Sequence, residues 1–359
     1  MKDDLTSPLI IFLPTVPNTI STLPVNDDQI IAALSASSNA TIIRINCRAG
    51  HGVHYPTPVH DVLIGYDYVK ERFSAEQESW TTRSGRVKSL KLKIGVVGQL
   101  VGGSLASMLA LTESHLAQDR IAAAAVNSPI NDWVFPEQER TIEDVLKSTS
   151  AEETEKPSRR KRKGKRALSS WEASDRSEDG LSTDMLETLR KDFFKKPVNY
   201  FDPFASPIHF FRSPSVVVPQ DPTLIMDGED PLSVLASTTT KPRKAHRTFP
   251  PSNSTLILPS FRLSTGSQNP LLDSNEECVK VLRRSVMRSA LKRSNVQVEL
   301  DRFEEDELNE DERLEAAVQE AEEKVEWHVG EGPGLWGTSG RYWREEVQRV
   351  GKWFRRVLG

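Results

Sequence analysis

Short runs of apolar residues recur along the first third of the chain. "PLIIFL" (8–13), "ATIIRIN" (40–46), "KIGVVG" (93–98) and "IAAAAVN" (121–127) are too short for helices and have the character of strands buried on both faces. Between them the apolar spacing changes to three and four. Val62, Tyr66, Val69 and Phe73 predict a helix over 59–73, and Leu105, Met108, Leu109 and Leu116 predict one over 104–116. This alternation predicts βαβ units and a mostly parallel sheet. Two further strands are expected at "FRLSTG" (261–266) and "VEWHVG" (325–330). The final segment aligns Trp343, Val347, Val350, Phe354 and Val357 in one stripe, which predicts a helix docked on the sheet.

Three segments break the pattern. Residues 137–176 run from acidic to basic, 213–256 are rich in Pro, Ser and Thr, and 301–324 are dominated by carboxylates. They read as flexible insertions in a single domain spanning 1–359, and a composition of 27% charged and 37% hydrophobic residues leaves room for them. The basic run "KPSRRKRKGKR" (156–166) has two readings, a solvated charge cluster or a nuclear-import or nucleic-acid patch. The first is favoured, because no aromatic residue lies among the basic ones to stack on bases. A net charge of −4 also argues against general affinity for nucleic acid or acidic membranes.

Cys47 and Cys278 are the only cysteines, so no disulfide framework or CxxC metal motif is expected. No His, Asp or Glu grouping has metal-ligand spacing, and no cofactor or metal is expected. The opening "MKDDLTSPLIIFLPTVP" lacks the charge pattern of a signal peptide, and no stretch reaches the roughly 20 apolar residues of a membrane span. A cytoplasmic location is expected, with a nuclear one as the alternative carried by the basic run.

The strand at 93–98 leads into "GQLVGGS" (98–104), a glycine turn before a helix. It lacks the lysine of a phosphate-binding P-loop, and its glycines do not fit the dinucleotide spacing. Gly98, Leu100 and Gly102 do fit G-x-S-x-G, the nucleophile elbow, in everything except the nucleophile. Three other segments share the same parentage. "RAGHGVHYPTPVHD" (48–61), "FDPFASPIHF" (201–210) and "LPSFRLSTGSQNPLLDSNEECVKVLRR" (258–284), together with "GQLVGG", resemble ordered motifs of the hormone-sensitive-lipase-like esterases of the α/β-hydrolase superfamily. The resemblance implies a three-layer α/β-hydrolase fold, a mostly parallel sheet with helices on both faces.

It also implies where chemistry would sit, and the chain departs from the pattern there. Leu100 stands at the serine position, Asn269 at the acid position and Leu335 at or beside the histidine position. Acyl transfer needs a hydroxyl, an imidazole to take its proton and a carboxylate to orient the imidazole. The segment matching the oxyanion loop is "FLPTVP" (12–17), whose prolines lack donors. Gly98, Gly102 and Gly103 read as packing residues of a retained elbow. The weaker catalytic candidates are Cys47 paired with His51 or His54, and Ser104. Ser107 and His328 read as structural. The expected function is therefore an esterase-like scaffold without catalysis, a pseudoenzyme holding a small apolar ligand or a protein partner. The alternative is a carboxylic ester hydrolase using non-standard residues.

Overall fold

A computed structural model describes residues 8–15, 25–50, 52–74, 80–81, 87–88, 92–116, 119–136, 169–174, 181–214, 246–300, 310–338 and 342–359. Its centre is a six-stranded sheet made of β1 (Leu9–Leu13), β2 (Thr41–Arg44), β5 (Lys93–Gln99), β6 (Arg120–Asn127), β7 (Ser260–Gly266) and β8 (Val325–Gly330). The order is β2-β1-β5-β6-β7-β8 and every neighbouring pair is parallel. Each strand falls within a residue or two of an apolar run picked out by the sequence. The short antiparallel ribbon of β3 (Trp80–Thr81) and β4 (Val87–Lys88) lies outside this sheet.

Alternation along each strand divides the core in two. Leu9, Ile11 and Leu13 of β1 share one apolar cluster with Ile94 and Val96 of β5 and with α2 (Thr57–Ser74), α3 (Leu100–Thr112) and α6 (Leu272–Leu300). Ile10 and Phe12 join Val97, Ala123 and Ala125 on the other face, under α1 (Asp27–Ser38) and α8 (Tyr342–Leu358). This is the α/β-hydrolase fold, a parallel sheet covered by helices on both faces. The closing stripe docks as expected, with Trp343, Val347, Val350 and Phe354 buried and Val357 partly so.

The helix expected over 104–116 begins instead at Leu100, directly after β5, and ends at Thr112, leaving Leu116 exposed. Glycines 102 and 103 argue against a first turn there by propensity. Tertiary packing overrides them, because Leu100 to Leu111 are all buried and the helix is enclosed on every side.

The insertions also look different in three dimensions. Residues 170–174 form α4, whose Trp171 stacks on Phe135 with ring centroids 4.8 Å apart. Residues 310–324 form α7, which buries Ala317 and Ala321 where a wholly solvated segment was expected. From the stretch 213–256, residues 246–256 are placed by bridges from His246 to Arg212 and from Leu256 to His115. The basic run 156–166 lies outside the described residues. No described helix is long and apolar enough to cross a membrane.

Candidate functional site

Crossovers leave β1 towards β2 on one side and proceed from β5 through β6, β7 and β8 on the other. In open α/β sheets the gap at such a reversal, beyond the carboxyl ends of the strands, is the usual ligand crevice. Here those ends are Leu13 and Gln99, and the β5–α3 turn occupies the gap. Leu100 sits at the turn with φ +51, in the left-handed region that a residue with a Cβ adopts at a cost of about 1–2 kcal/mol. This strained strand-to-helix turn is held by a fully buried leucine.

The turn closes tightly. A Cβ on Gly98 would come closer than 3.0 Å to the backbone of Gly102 and Gly103, and one on Gly102 would meet the carbonyl oxygens of Leu13 and Pro14 inside the same limit. A Cβ on Gly103 would lie 3.1 Å from Pro129. The Gly102 N–H points at the Thr15 carbonyl, 3.5 Å away. An oxyanion hole needs free donors at this helix start. The segment 13–15 presents carbonyl oxygens to it instead.

A neutral hydrogen-bond network lies at the carboxyl ends of the strands. Gln99 Oε1 accepts from Asn127 Nδ2 and from the Trp336 N–H, both at 2.6 Å, while its Nε2 donates to the Trp336 carbonyl at 3.3 Å and to Thr15 Oγ1 at 3.4 Å. Asn127 also donates to the Gly334 carbonyl at 2.8 Å and accepts from Ser264 Oγ at 2.9 Å. Asn269 is fully buried beside it. Its Nδ2 donates to Ser128 Oγ and to the Pro333 carbonyl, both at 3.0 Å, and its Oδ1 accepts the Leu271 N–H at 2.9 Å. An aspartate could not donate to Pro333, so the amide is the side chain this cradle requires. Leu335 lies in the same apolar cluster as Leu100. None of these network bonds involves a histidine. Gln99, Asn127, Ser128 and Ser264 do not stand out in the sequence; their only signal is that each is a polar residue at or next to the end of a strand.

The other sequence candidates are scattered. The Cys47 thiol is pushed up to about 11, mainly by burial and then by the Asp61 charge, which suppresses the thiolate a nucleophile needs. His54 Nδ1 lies 2.9 Å from the Asp192 carbonyl, and His51 falls outside the described residues. Ser104 Oγ donates to the Ala205 carbonyl at 3.2 Å, and Ser107 Oγ to Gly103 at 2.9 Å. His328 lies on the edge strand with Nε2 3.4 Å from Glu346 Oε2, within an ion network that also holds Arg262 and Arg349. Arg48 and Asp61 form a two-pronged pair at 2.6 and 3.0 Å that ties the loop after β2 to α2, and Arg48 holds the Asp61 carboxyl below its usual range. Among the described residues no group of three or more His, Cys, Asp or Glu is placed to hold a metal ion.

His209 went unnoticed in the sequence. It is buried, stacks on Phe201, and has Nε2 3.9 Å from Asp132 Oδ1 with neither ring nitrogen hydrogen-bonded. Burial holds its pKa below the ordinary imidazole value; Asp132 and Glu277 oppose this and Arg212 and Arg247 reinforce it. The unfolded chain therefore takes up this proton first as pH falls below about 6.5, and the stability His209 contributes is lost between that pH and its lower folded value. The slope is at most about 1.4 kcal/mol per pH unit. Urea midpoints measured from pH 7.5 to 5 should decline, and in His209→Leu the decline should be shallower. An equal slope in both proteins would show that His209 does not titrate with unfolding.

No protein-family model and no curated protein matches the sequence. Solved structures do match the fold. An esterase from Pyrobaculum calidifontis superposes with a TM-score of 0.52 at 14% identity, covering 98% of this chain and 76% of the other. Carboxyl esterase 2 of the mycorrhizal fungus Tuber melanosporum gives 0.52 at 12%, with coverages of 99% and 80%. A thermostable carboxylesterase cloned from a metagenomic library gives 0.52 at 13%, with 98% and 81%. At such identities the likeness shows the α/β-hydrolase fold alone.

Proposed function

We propose that this protein is an esterase-like α/β-hydrolase scaffold that does not catalyse ester hydrolysis and serves instead in binding. The observation that carries the reading is Leu100. It occupies the strained turn where the fold's chemistry would begin, fully buried and without a nucleophilic atom. Three further features support it. The helix start that would form an oxyanion hole faces the carbonyls of 13–15. Asn269 is held as a hydrogen-bond donor where a charged acid would be needed, and Leu335 extends the apolar cluster where an imidazole would be needed. The ester-hydrolase alternative has little to draw on, since the Cys47 thiol is raised and Ser104 is committed to a backbone carbonyl.

Purified protein incubated with p-nitrophenyl acetate and butyrate should show no turnover above buffer, and a fluorophosphonate probe should leave it unlabelled. Turnover that disappears in Cys47→Ala, Ser104→Ala or His54→Ala would overturn the proposal.

A further inference from the structure

Ser170 opens α4 and ties it to the start of α6, far along the chain. Its Oγ donates to the Pro270 carbonyl at 3.0 Å and accepts the Asp273 N–H at 3.3 Å. Its own N–H donates to Asp273 Oδ2 at 2.8 Å. One residue on, Trp171 is buried and stacked on Phe135, while Ser170 itself is only half-buried. In the sequence, Arg166, Lys165 and Lys163 stand four, five and seven positions before this serine, at the end of the basic run 156–166. Protein kinases select their substrates by charge pattern, and cationic residues shortly before a serine suit those with an acidic peptide groove.

A phosphate on this oxygen would work against the contacts it now makes. It carries about −1.5 to −2 charge at pH 7 and removes the proton donated to Pro270. The N-terminus of α6 offers about half a positive charge, which the full negative charge of Asp273 already outweighs. Glu172 Oε2, accepting the Ser169 N–H at 3.2 Å, adds a second carboxylate at the same end of α4. The Arg212 guanidinium lines the same cleft as Ser170, but it is committed to Asp132 and Glu277. Repulsion therefore exceeds what the helix start can return.

We infer that Ser170 is a phosphorylation site for a basic-directed protein kinase, and that its phosphate releases α4 from α6. Ser170 Oγ attacks the γ-phosphorus of ATP held by the kinase. The new O–P bond replaces the bond to ADP, and the hydroxyl proton passes to the kinase's base. Neither step depends on whether the β5–α3 turn is catalytic.

The full chain, incubated with magnesium ATP and an arginine-directed serine kinase, should be phosphorylated on Ser170, as placed by peptide mass spectrometry. Replacing Lys165 and Arg166 together by alanine should slow this at least about tenfold. Hydrogen exchange of peptides spanning 169–174 and 270–275 should quicken about tenfold or more in the phosphoprotein and in Ser170→Glu. Ser170→Ala loses the hydroxyl's bonds without gaining charge, and its exchange should quicken less. A kinase reaction that leaves Ser170 unmodified would overturn the inference, as would an unchanged rate in the lysine–arginine variant. So would exchange in the phosphoprotein that is unchanged, slower, or no faster than in Ser170→Ala.

Discussion

Gly102→Ala should lower the folding stability of this protein by at least about 3 kcal/mol, enough to leave much of a marginally stable domain unfolded. The added methyl would fall inside 3.0 Å of two carbonyl oxygens, those of Leu13 and Pro14. Both belong to the backbone at the end of a fully buried central strand, so neither can turn away as the tip of a flexible side chain could. Relief requires the β1 end and the first turn of α3 to separate, and that movement would pull on Gln99, whose amide reaches Thr15 and Trp336 at once. Helix propensity points the other way, since alanine is favoured over glycine by about 1 kcal/mol within a helix. Steric cost against the immobile β1 backbone should outweigh it. Urea denaturation followed by far-UV circular dichroism measures the difference, and a neutral or stabilising change would show that strand and turn are farther apart than described.

This glycine illustrates what the sequence could and could not reveal. The central strands β1, β5 and β6 were legible because each is a short apolar run buried on both faces, while the edge strands β2 and β8 are only partly buried and were marked by their turn-flanked β-branched and aromatic residues. The close approach at Gly98 and Gly102 was legible from spacing alone. The start of α3 was not, since glycines 102 and 103 read locally as a turn and only their enclosure makes them helical. Nor was the order of α7, whose carboxylates suggest a solvated segment while Ala317 and Ala321 provide a narrow buried stripe.

The polar closure above the strands was the least legible feature. Gln99, Asn127, Ser128 and Asn269 are separated by up to 170 residues along the chain, and no local periodicity links them. They meet because parallel strands bring all their carboxyl ends to one edge of the sheet. Their composition then becomes informative. Four amide and hydroxyl side chains satisfy one another and the carbonyls of 333, 334 and 336 without a charge. A catalytic edge keeps an acid and a base; among the described residues the side chains that meet here are amides and hydroxyls paired with one another and with backbone carbonyls.

That pairing bears on the second large effect. Leu100→Ser restores the missing hydroxyl at the elbow, and it should nevertheless yield no esterase turnover while costing about 3 kcal/mol of stability. Truncating a fully buried leucine typically costs about 2–5 kcal/mol through lost burial and the cavity left behind. Serine tolerates the φ of +51 no better than leucine, so no backbone strain is relieved in exchange. The new hydroxyl would enter the apolar cluster that also contains Leu335, and no described hydrogen bond of the neighbouring Gln99–Asn127–Asn269 network involves an imidazole that could take its proton. Adding Asn269→Asp would not help, because it replaces the donor to the Pro333 carbonyl with a second acceptor facing it. Steady-state assays with p-nitrophenyl butyrate, run beside urea titrations of the same preparations, separate the two consequences. Loss of stability without turnover is the expected pair. Turnover from the single substitution would mean that a base and an acid do reach the turn, and the scaffold would then have to be regarded as an enzyme lacking only its nucleophile.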